Sequence, residues 1–394
     1  DYLKGGPGAD ILTGNDGNDV FDIYGGIDQI TDLTTGDAVR INAGFAAANI
    51  SVQTSFVATA QSANFGAATL TAGENGAVID MTLSSIGAYT LNGGPGPDTL
   101  RGGSEADIIT GNGSNDSMSG NAGNDTFNVN AGFDSITDLT TGDILVVSSG
   151  ATAHATDISS FIATNDSGNS GTATLTAGNS GSTIDVTLSS VGSYSLVGGS
   201  GIDNLTGGTG NDTITGNGDA DVITGKGGDD TLTGSLGNDT FNVDSGTDLI
   251  TDLSTGDILV VSAGAIANAT NISAFVATNA TVNSGTTTLT AGSTNSTINV
   301  NDSPTGAYTI NGGSGSDTLI GSSRNDTIVG NENDDNITGK GGSDTLTGSA
   351  GNDTFNIDSG TDSITDLSTG DILIISSGAI ANATNISAFV ATNA

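Results

Sequence analysis

The sequence has no cysteine and no tryptophan, and it has only 4 prolines and 6 basic residues among 394. The lack of cysteine excludes a disulfide-stapled fold and a thiolate metal site. Aromatic residues make up 4%, so the bulky side chains that fill ordinary globular cores are scarce. No run of 18 apolar residues occurs, and the chain opens at Asp1 without an apolar leader, so we expect no membrane span. These absences favour a thin, repetitive architecture.

Catalytic residue types are also scarce. The sequence has one histidine, His154, which excludes a two-histidine zinc motif and a histidine pair acting as a proton relay within this chain. The absence of cysteine excludes a cysteine nucleophile. The position equivalent to His154 in a later module is Asn268. We therefore interpret His154 as a surface residue, and we predict that this chain is not an enzyme.

The charge is strongly one-sided. The chain has 44 acidic and 6 basic residues, for a net charge of −38. Such a surface repels nucleic-acid phosphates and anionic lipid headgroups, so the expected electrostatic partner is a cation. Only Glu74, Glu105 and Glu332 are glutamates, which leaves 41 aspartates. Aspartate suits tight turns that wrap a hard ion, because its short stem holds the carboxylate near the backbone. We interpret these aspartates as ligands in turns.

Internal repeats dominate the sequence. From Gly198 it reads GGSGIDNLT, GGTGNDTIT, GNGDADVIT, GKGGDDTLT and GSLGNDTFN, so an aspartate recurs every nine residues. The same register defines four blocks of 4, 6, 7 and 7 nonapeptides, and 61, 60 and 60 residues separate the last aspartate of one block from the first of the next. Blocks that vary by whole nonapeptides while spacers stay constant indicate a solenoid. The predicted metal ligands are Asp10, Asp19, Asp28 and Asp37; Asp98, Asp107, Asp116, Asp125, Asp134 and Asp143; Asp203, Asp212, Asp221, Asp230, Asp239, Asp248 and Asp257; and Asp317, Asp326, Asp335, Asp344, Asp353, Asp362 and Asp371.

The nonapeptide GGTGNDTIT at residues 207–215 matches the pattern GGxGxDxUx and resembles the RTX calcium-binding repeat. That resemblance implies a parallel β-roll, in which six residues turn around calcium, three form a short strand, and two nonapeptides complete a coil. It further implies that aspartates 18 residues apart stack on one edge, with each ion held by aspartate carboxylates and turn carbonyls. The expected fold is all-β, with modular calcium-stabilised β-roll blocks separated by β-rich spacers of about 60 residues.

The residues support this pattern on physical grounds. Glycine at the turn positions lets carbonyls converge on an ion where a Cβ would obstruct them. Calcium takes six to eight oxygen ligands, and this sequence offers oxygen almost exclusively. Two-residue alternation directs one apolar residue of each short strand inward and its threonine neighbours outward. The predicted inward column in the third block is Leu205, Ile214, Ile223, Leu232 and Phe241.

The charge balance predicts that folding depends on calcium. If each ion needs aspartates from nonapeptides i and i+2, the four blocks supply at most 16 calcium sites. Without ions, carboxylates stacked about 4.8 Å apart repel each other. We therefore expect a largely unfolded chain without calcium and a rigid one with it. Eight aspartates lack the paired glycines and are either ligands or merely part of capping turns: Asp28, Asp37, Asp134, Asp143, Asp248, Asp257, Asp362 and Asp371.

The predicted domains alternate between repeat blocks and spacers. The blocks are 1–40, 93–146, 198–260 and 312–374, and the spacers are 41–92, 147–197, 261–311 and a truncated 375–394. In the spacers, NISAFVA at residues 271–277 is expected to form a short helix or turn, with Asp157 and Asn271 as N-caps of the two equivalent segments. Three tyrosines precede the next glycine pair and either plug the open top of a roll or are ordinary strand residues: Tyr89, Tyr194 and Tyr308.

Several functions are consistent with these features. Residues 345–394 match 231–280 at 44 of 50 positions, and the incomplete final spacer predicts either a longer repetitive protein or subunits that join head to tail through unpaired edges. The favoured function is a secreted structural protein of the cell surface, such as a filament or S-layer, with calcium, copies of itself and cell-surface polysaccharide as partners. The alternatives are the stalk of a large adhesin and an ice-binding solenoid with outward ranks of threonine. By the same resemblance, we expect an extracellular location.

Overall fold

The computed structural model describes residues 1–44 and 46–390. In these residues every strand pair is parallel and no helix forms, so the fold is an all-β parallel solenoid, as expected. No membrane-spanning helix is found in the described part of the chain. The chain divides into two compact units, residues 1–197 and 198–394. The predicted final spacer, 375–394, extends beyond the described residues.

In residues 1–44 and 46–197, the first unit contains 23 strands, which are short and follow one another around successive coils. They are β1 (Tyr2–Gly5), β2 (Ile11–Leu12), β3 (Val20–Ile23), β4 (Gly26–Ile30), β5 (Ala38–Ile41), β6 (Ala46–Val52), β7 (Ser55–Val57), β8 (Ala63–Asn64), β9 (Ala67–Ala72), β10 (Val78–Asp80), β11 (Tyr89–Asn92), β12 (Thr99–Arg101), β13 (Ile108–Thr110), β14 (Ser117–Ser119), β15 (Thr126–Val129), β16 (Phe133–Ile136), β17 (Ile144–Val147), β18 (Thr152–Ile158), β19 (Ser160–Ile162), β20 (Gly168–Asn169), β21 (Thr172–Ala177), β22 (Thr183–Asp185) and β23 (Tyr194–Val197).

The second unit contains 21 strands in its described residues. They are β24 (Asn204–Thr206), β25 (Thr213–Gly218), β26 (Val222–Thr224), β27 (Thr231–Leu236), β28 (Thr240–Val243), β29 (Thr247–Ile250), β30 (Ile258–Val261), β31 (Ile266–Ile272), β32 (Ala274–Val276), β33 (Val282–Asn283), β34 (Thr286–Ala291), β35 (Thr297–Asn299), β36 (Tyr308–Asn311), β37 (Thr318–Ile320), β38 (Thr327–Glu332), β39 (Asn336–Thr338), β40 (Thr345–Ala350), β41 (Thr354–Ile357), β42 (Thr361–Ile364), β43 (Ile372–Ile375) and β44 (Ile380–Ala383).

In the repeat blocks, consecutive strands lie in opposite sheets and each pairs with the strand two places along. Thr99 pairs with Ser117, and Thr126 pairs with Ile144, so one coil takes 18 residues, or two nonapeptides. The predicted apolar column of the third block is fully buried, with Leu205, Ile214, Ile223, Leu232 and Phe241 all at 0% exposure. The inward direction of this column is therefore confirmed.

The spacers form coils that stack directly on the blocks within each unit. In the first unit, β6, β9, β11 and β13 carry one sheet through the spacer. The sheet of β1, β3, β5 and β8 ends there, and a new sheet begins with β7, β10 and β12. The second unit repeats this exchange, because β33 ends one sheet while β32, β35 and β37 begin another. Spacer coils are longer: Ala274 pairs with Thr297, 23 residues away.

The helix expected at residues 271–277 is wrong. Ile272 ends β31, and Phe275 lies in the middle of β32; both side chains are buried. Asp157 and Asn271 are not N-caps but take φ angles of 57° and 58°, at the points where the strand register shifts. The apolar residues of this segment face the interior only when the backbone is extended, and a left-handed residue supplies the corner between the two strands.

The expected plugging role of the tyrosines is wrong where both neighbouring coils belong to one unit. Tyr89 begins β11, which pairs with β9 and β13, and Tyr308 begins β36, which pairs with β34 and β38. No open top exists at these strands, because spacer and block coils stack without a break. The tyrosines are buried strand residues whose hydroxyls hydrogen-bond Ser84 and Ser303 at 2.5 and 2.7 Å.

Candidate metal centre

Aspartates 18 residues apart stack along the edges of the coils. The backbone N–H of Asp98 donates to Oδ1 of Asp116 at 2.8 Å, and that of Asp116 donates to Oδ1 of Asp134 at 3.0 Å. The same bond joins every pair of predicted ligands that are 18 residues apart, at 2.7 to 3.1 Å. These pairs are 10/28, 19/37, 98/116, 107/125, 116/134, 125/143, 203/221, 212/230, 221/239, 230/248, 239/257, 317/335, 326/344, 335/353, 344/362 and 353/371.

The second carboxylate oxygen, Oδ2, lacks a hydrogen-bond partner in many of these aspartates. In ten of these aspartates Oδ2 is buried and has no hydrogen-bond partner among the described residues. An unpaired buried carboxylate oxygen carries a large desolvation cost unless something compensates for it. The ten are Asp19, Asp28, Asp116, Asp134, Asp221, Asp230, Asp248, Asp335, Asp344 and Asp362.

The unpaired oxygens converge beside the first glycine of a nonapeptide. A Cβ added at Gly111 would lie 2.8 Å from Oδ2 of Asp116 and 2.5 Å from Oδ2 of Asp134, so two stacked carboxylates face the same glycine. At Gly93 an added Cβ would overlap the carbonyl oxygen of Gly111, the corresponding residue of the next coil. The missing side chain therefore leaves space that carboxylate and carbonyl oxygens share.

Apart from Asp19, whose Oδ2 is unpaired, the first aspartate of each stack differs from those that follow. Its Oδ2 accepts an N–H from the second residue of its own turn: Gly94 donates to Asp98 at 2.6 Å, and Gly313 donates to Asp317 at 2.8 Å. Where no aspartate precedes in the stack, an N–H of the turn therefore offsets part of the cost of burying Oδ2. The same contact occurs at Asp10, Asp107, Asp203, Asp212 and Asp326.

Burial makes these carboxylates hard to ionise without a cation. Loss of hydration, together with the smaller repulsion from the stacked carboxylates of Asp143 and Asp107, raises the pKa of Asp125 to about 7. Burial likewise raises the pKa of Asp134 and Asp230 to about 7. A pKa this far above the usual value near 4 means that these carboxylates are only partly ionised at neutral pH unless a nearby positive charge lowers their pKa.

The donor set fits calcium. Among the described residues, no group of three or more Asp, Glu, His or Cys side chains has a metal-binding arrangement, so a site must combine a pair of carboxylates with backbone oxygens. Calcium accepts this mixed, all-oxygen set in flexible geometry, whereas transition metals favour nitrogen and sulfur ligands. The stacked aspartate pairs that hold unpaired Oδ2 atoms, such as Asp116 with Asp134, are therefore the best candidates for calcium sites.

The eight aspartates without paired glycines fall into two groups. Asp28, Asp134, Asp248 and Asp362 each have an unpaired, buried Oδ2, which supports their prediction as ligands. In the other four both oxygens accept protein hydrogen bonds; for Asp143, Oδ1 accepts from Asp125 and Oδ2 from Thr140. The other members of this second group are Asp37, Asp257 and Asp371.

Four further carboxylates, which the nine-residue spacing does not predict, also bind the turns. Asp138 accepts the N–H groups of Gly120 and Asn121 at 3.0 and 2.6 Å, and Asp32, Asp252 and Asp366 make the equivalent contacts. They do not fall on the nine-residue count of the predicted ligands. Their signal is a second motif, TDLTTGD or TDLSTGD, that recurs once in each block.

Comparison with protein families agrees with this geometry. A model of four copies of the RTX calcium-binding nonapeptide repeat matches residues 1–30, 92–127, 102–136, 197–232, 216–250, 311–346 and 329–364. Comparison with curated proteins finds no match to this chain. The matched residues form four segments, one in each predicted block, and they contain all of the stacked aspartates except Asp37, Asp143, Asp257 and Asp371. These four segments therefore carry RTX calcium-binding nonapeptide repeats.

Proposed function

We propose that this protein is a secreted structural protein in which calcium stiffens the solenoid units, and that it serves as part of an extracellular rod, filament or surface layer. The observation that carries the proposal is the set of buried, unpaired carboxylate oxygens along the coil edges. Such oxygens would destabilise the fold if left alone. Calcium between the rungs turns the same oxygens into the contacts that hold successive coils together.

Folding is then coupled to calcium. The carboxylates of a rung are far apart in the unfolded chain, so ion binding contributes directly to the free energy of folding. RTX repeats resemble other extracellular calcium modules, whose dissociation constants are about 0.1 to 1 mM. This range matches the outside of a cell, where calcium is plentiful, and it supports a secreted protein that becomes rigid after export.

A structural role also agrees with the position of the single histidine. His154 lies on the outer side of β18, half-buried, with its ring 5.9 Å from that of Phe133. A side chain in this position contributes to the outer packing of the coil. The RTX solenoid is a structural fold, and we assign no catalytic role to this chain.

Circular dichroism and electron microscopy test the proposal together. We expect β-structure to appear cooperatively as calcium is raised from chelator to a few millimolar, and magnesium at equal concentration to have little effect. We also expect calcium-dependent assemblies in micrographs. Equal β content in chelator and in calcium would contradict the coupling. Coupled folding without assembly would instead favour the stalk of an adhesin.

One observation favours ice binding as a second candidate. In the second unit, Thr288, Thr309, Thr327 and Thr345 pair in register on neighbouring strands, which forms an outward rank of hydroxyl and methyl groups. Neighbouring strands lie about 4.8 Å apart, so successive threonines of the rank repeat at about that distance. Thermal hysteresis of the calcium-loaded protein tests this candidate, and replacement of Thr309 and Thr327 by lysine should abolish any activity found. No hysteresis in the unaltered protein would exclude it.

A further inference from the structure

Each repeat block ends in a turn that departs from the repeat. The sequence is TDLTTGD at residues 31–37 and 137–143, and TDLSTGD at 251–257 and 365–371. We call these four segments the closing turns. In the nonapeptide register, an aspartate and a leucine occupy the two opening positions, which are both glycine in GGTGNDTIT at residues 207–215. The change affects the positions at which an absent side chain leaves room for an ion.

The first aspartate of the closing turn binds the turn beneath it. In the third block, Asp252 accepts the N–H of Gly234 at 3.0 Å and the N–H of Ser235 at 2.6 Å. Asp138 makes the same pair of contacts in the second block and also accepts the hydroxyl of Ser119 at 2.7 Å. A carboxylate of the chain itself is therefore joined by hydrogen bonds to two adjacent amides of the preceding turn.

The last aspartate of the closing turn has no free oxygen. Oδ1 of Asp257 accepts from the N–H of Asp239 at 2.9 Å, and Oδ2 accepts from both the N–H and the hydroxyl of Ser254, at 2.7 and 3.1 Å. By contrast, Asp248 is equally buried and its Oδ2 has no partner. The two aspartates are nine residues apart, yet only Asp248 keeps an oxygen that needs a cation.

Two more observations set the closing turns apart. The leucine that replaces the second glycine is buried in every copy: Leu33, Leu139, Leu253 and Leu367 are 1 to 2% exposed. The family matches also stop at residues 30, 136, 250 and 364, each time just before the closing turn. The calcium-binding pattern thus ends where side chains of the chain itself begin to form the hydrogen bonds of the turn.

We propose that the closing turns are metal-free ends of the calcium ladders, in which protein hydrogen bonds and a buried leucine replace the last ion of each block. The inference rests on the proposed binding of calcium by the other rungs. Four of the 16 aspartate pairs involve a closing turn: 19/37, 125/143, 239/257 and 353/371. The full chain therefore binds about 12 calcium ions at saturation rather than 16.

Two matched fourfold variants test the assignment. The ladder variant carries Asp28→Asn, Asp134→Asn, Asp248→Asn and Asp362→Asn, and the closing variant carries Asp37→Asn, Asp143→Asn, Asp257→Asn and Asp371→Asn. Asparagine keeps the Oδ1 acceptor but places an amide NH₂ at the position of Oδ2. Equilibrium dialysis against radioactive calcium should show a loss of about four ions from the ladder variant and none from the closing variant.

The outcomes separate this inference from the proposed function. A loss of about four ions from the closing variant, or about 16 ions in the unaltered chain, overturns the metal-free assignment while leaving calcium binding intact. No calcium bound by the unaltered chain would instead overturn the proposed function. If the closing variant does not fold in calcium, the ion count of the unaltered chain decides alone, because about 12 supports the assignment and about 16 contradicts it.

Discussion

Repeat blocks and spacers build the same parallel stack but satisfy their buried polar groups differently. In the blocks, buried carboxylates such as Asp134 keep an unpaired oxygen. In the spacers, buried amide side chains have protein partners: Asn169 accepts from Gly171 and donates to Ser193, and Asn283 accepts from Gly285 and donates to Ala307. We therefore expect a spacer coil to be stable without a metal, whereas block coils with an unpaired Oδ2 should need one. The same parallel coil is thus stabilised by protein hydrogen bonds in the spacers and, as we propose, by calcium ions in the blocks.

Removal of calcium should have the largest effect on this contrast. In chelator we expect amides of block residues 99–136 to lose most of their protection from hydrogen exchange, because stacked carboxylates then repel one another. Amides of spacer residues 152–177 should keep more of their protection from hydrogen exchange than the block amides do. Mass-spectrometric hydrogen exchange measures both in one sample, and restored calcium should restore the block. Equal loss in both regions would show that block and spacer unfold together.

Truncation of two matched phenylalanines sharpens the comparison. Phe241 in a block and Phe275 in a spacer are both at 0% exposure. In calcium, each change to alanine should lower the free energy of unfolding by about 3 to 5 kcal/mol, through lost burial and the cavity left behind. In chelator, only Phe275→Ala should still have an effect, because the block has already lost its structure. Urea denaturation followed by fluorescence of tyrosine tests this expectation.

Acid should partly replace calcium in the blocks. Burial raises the folded-state pKa of Asp125, Asp134 and Asp344 to about 7, above the value near 4 of an unfolded chain. Protons therefore bind more tightly to the folded state, and their stabilising contribution is complete below about pH 4 and lost as the pH rises towards 7. In chelator, we expect β content to increase from pH 8 to pH 5.

The calcium-loaded protein provides the control for the effect of pH. There the same acidification should weaken calcium binding, because protons compete for the carboxylates. Circular dichroism at both pH values, with and without chelator, measures the two opposite trends. If chelated protein loses β content on acidification, the buried carboxylates are not the groups that limit folding of the blocks.

The smallest effect should come from the surface ion pairs of the blocks. Lys226 lies 2.9 Å from Asp244, and Lys340 lies 2.9 Å from Asp358. All four side chains are about a third or more exposed, and such pairs contribute about 0.2 to 1 kcal/mol. Lys226→Asn should shift the melting temperature by less than about 3 °C, since Asn217 holds the same left-handed turn position in an earlier coil. A larger shift would show that lysine substitutes for an ion.

The periodicity of the sequence predicts the coil of the blocks well. Nine-residue spacing places Asp203 above Asp221 and Ile214 above Leu232, and both stackings occur. This succeeds because a two-nonapeptide coil is closed by local residues and each coil contacts mainly its neighbours. Prediction of the spacers is weaker, since their coils lack a fixed period. The segment around Phe275 has helical caps by composition, but stacking on the next coil holds it extended.

The sequence by itself determined the repeat length, the inward apolar column, the oxygen-rich turns and the RTX repeats. The tertiary structure alone decided which of those oxygens have a protein hydrogen-bond donor and which do not. Asp248 and Asp257 occupy the same place in the nine-residue count, but the hydroxyl and amide of Ser254 reach Asp257 while no donor reaches Oδ2 of Asp248. Ser254 precedes Asp257 by only three residues, but its amide and hydroxyl reach Oδ2 only in the turn conformation that folding fixes, so this pairing cannot be counted from the sequence.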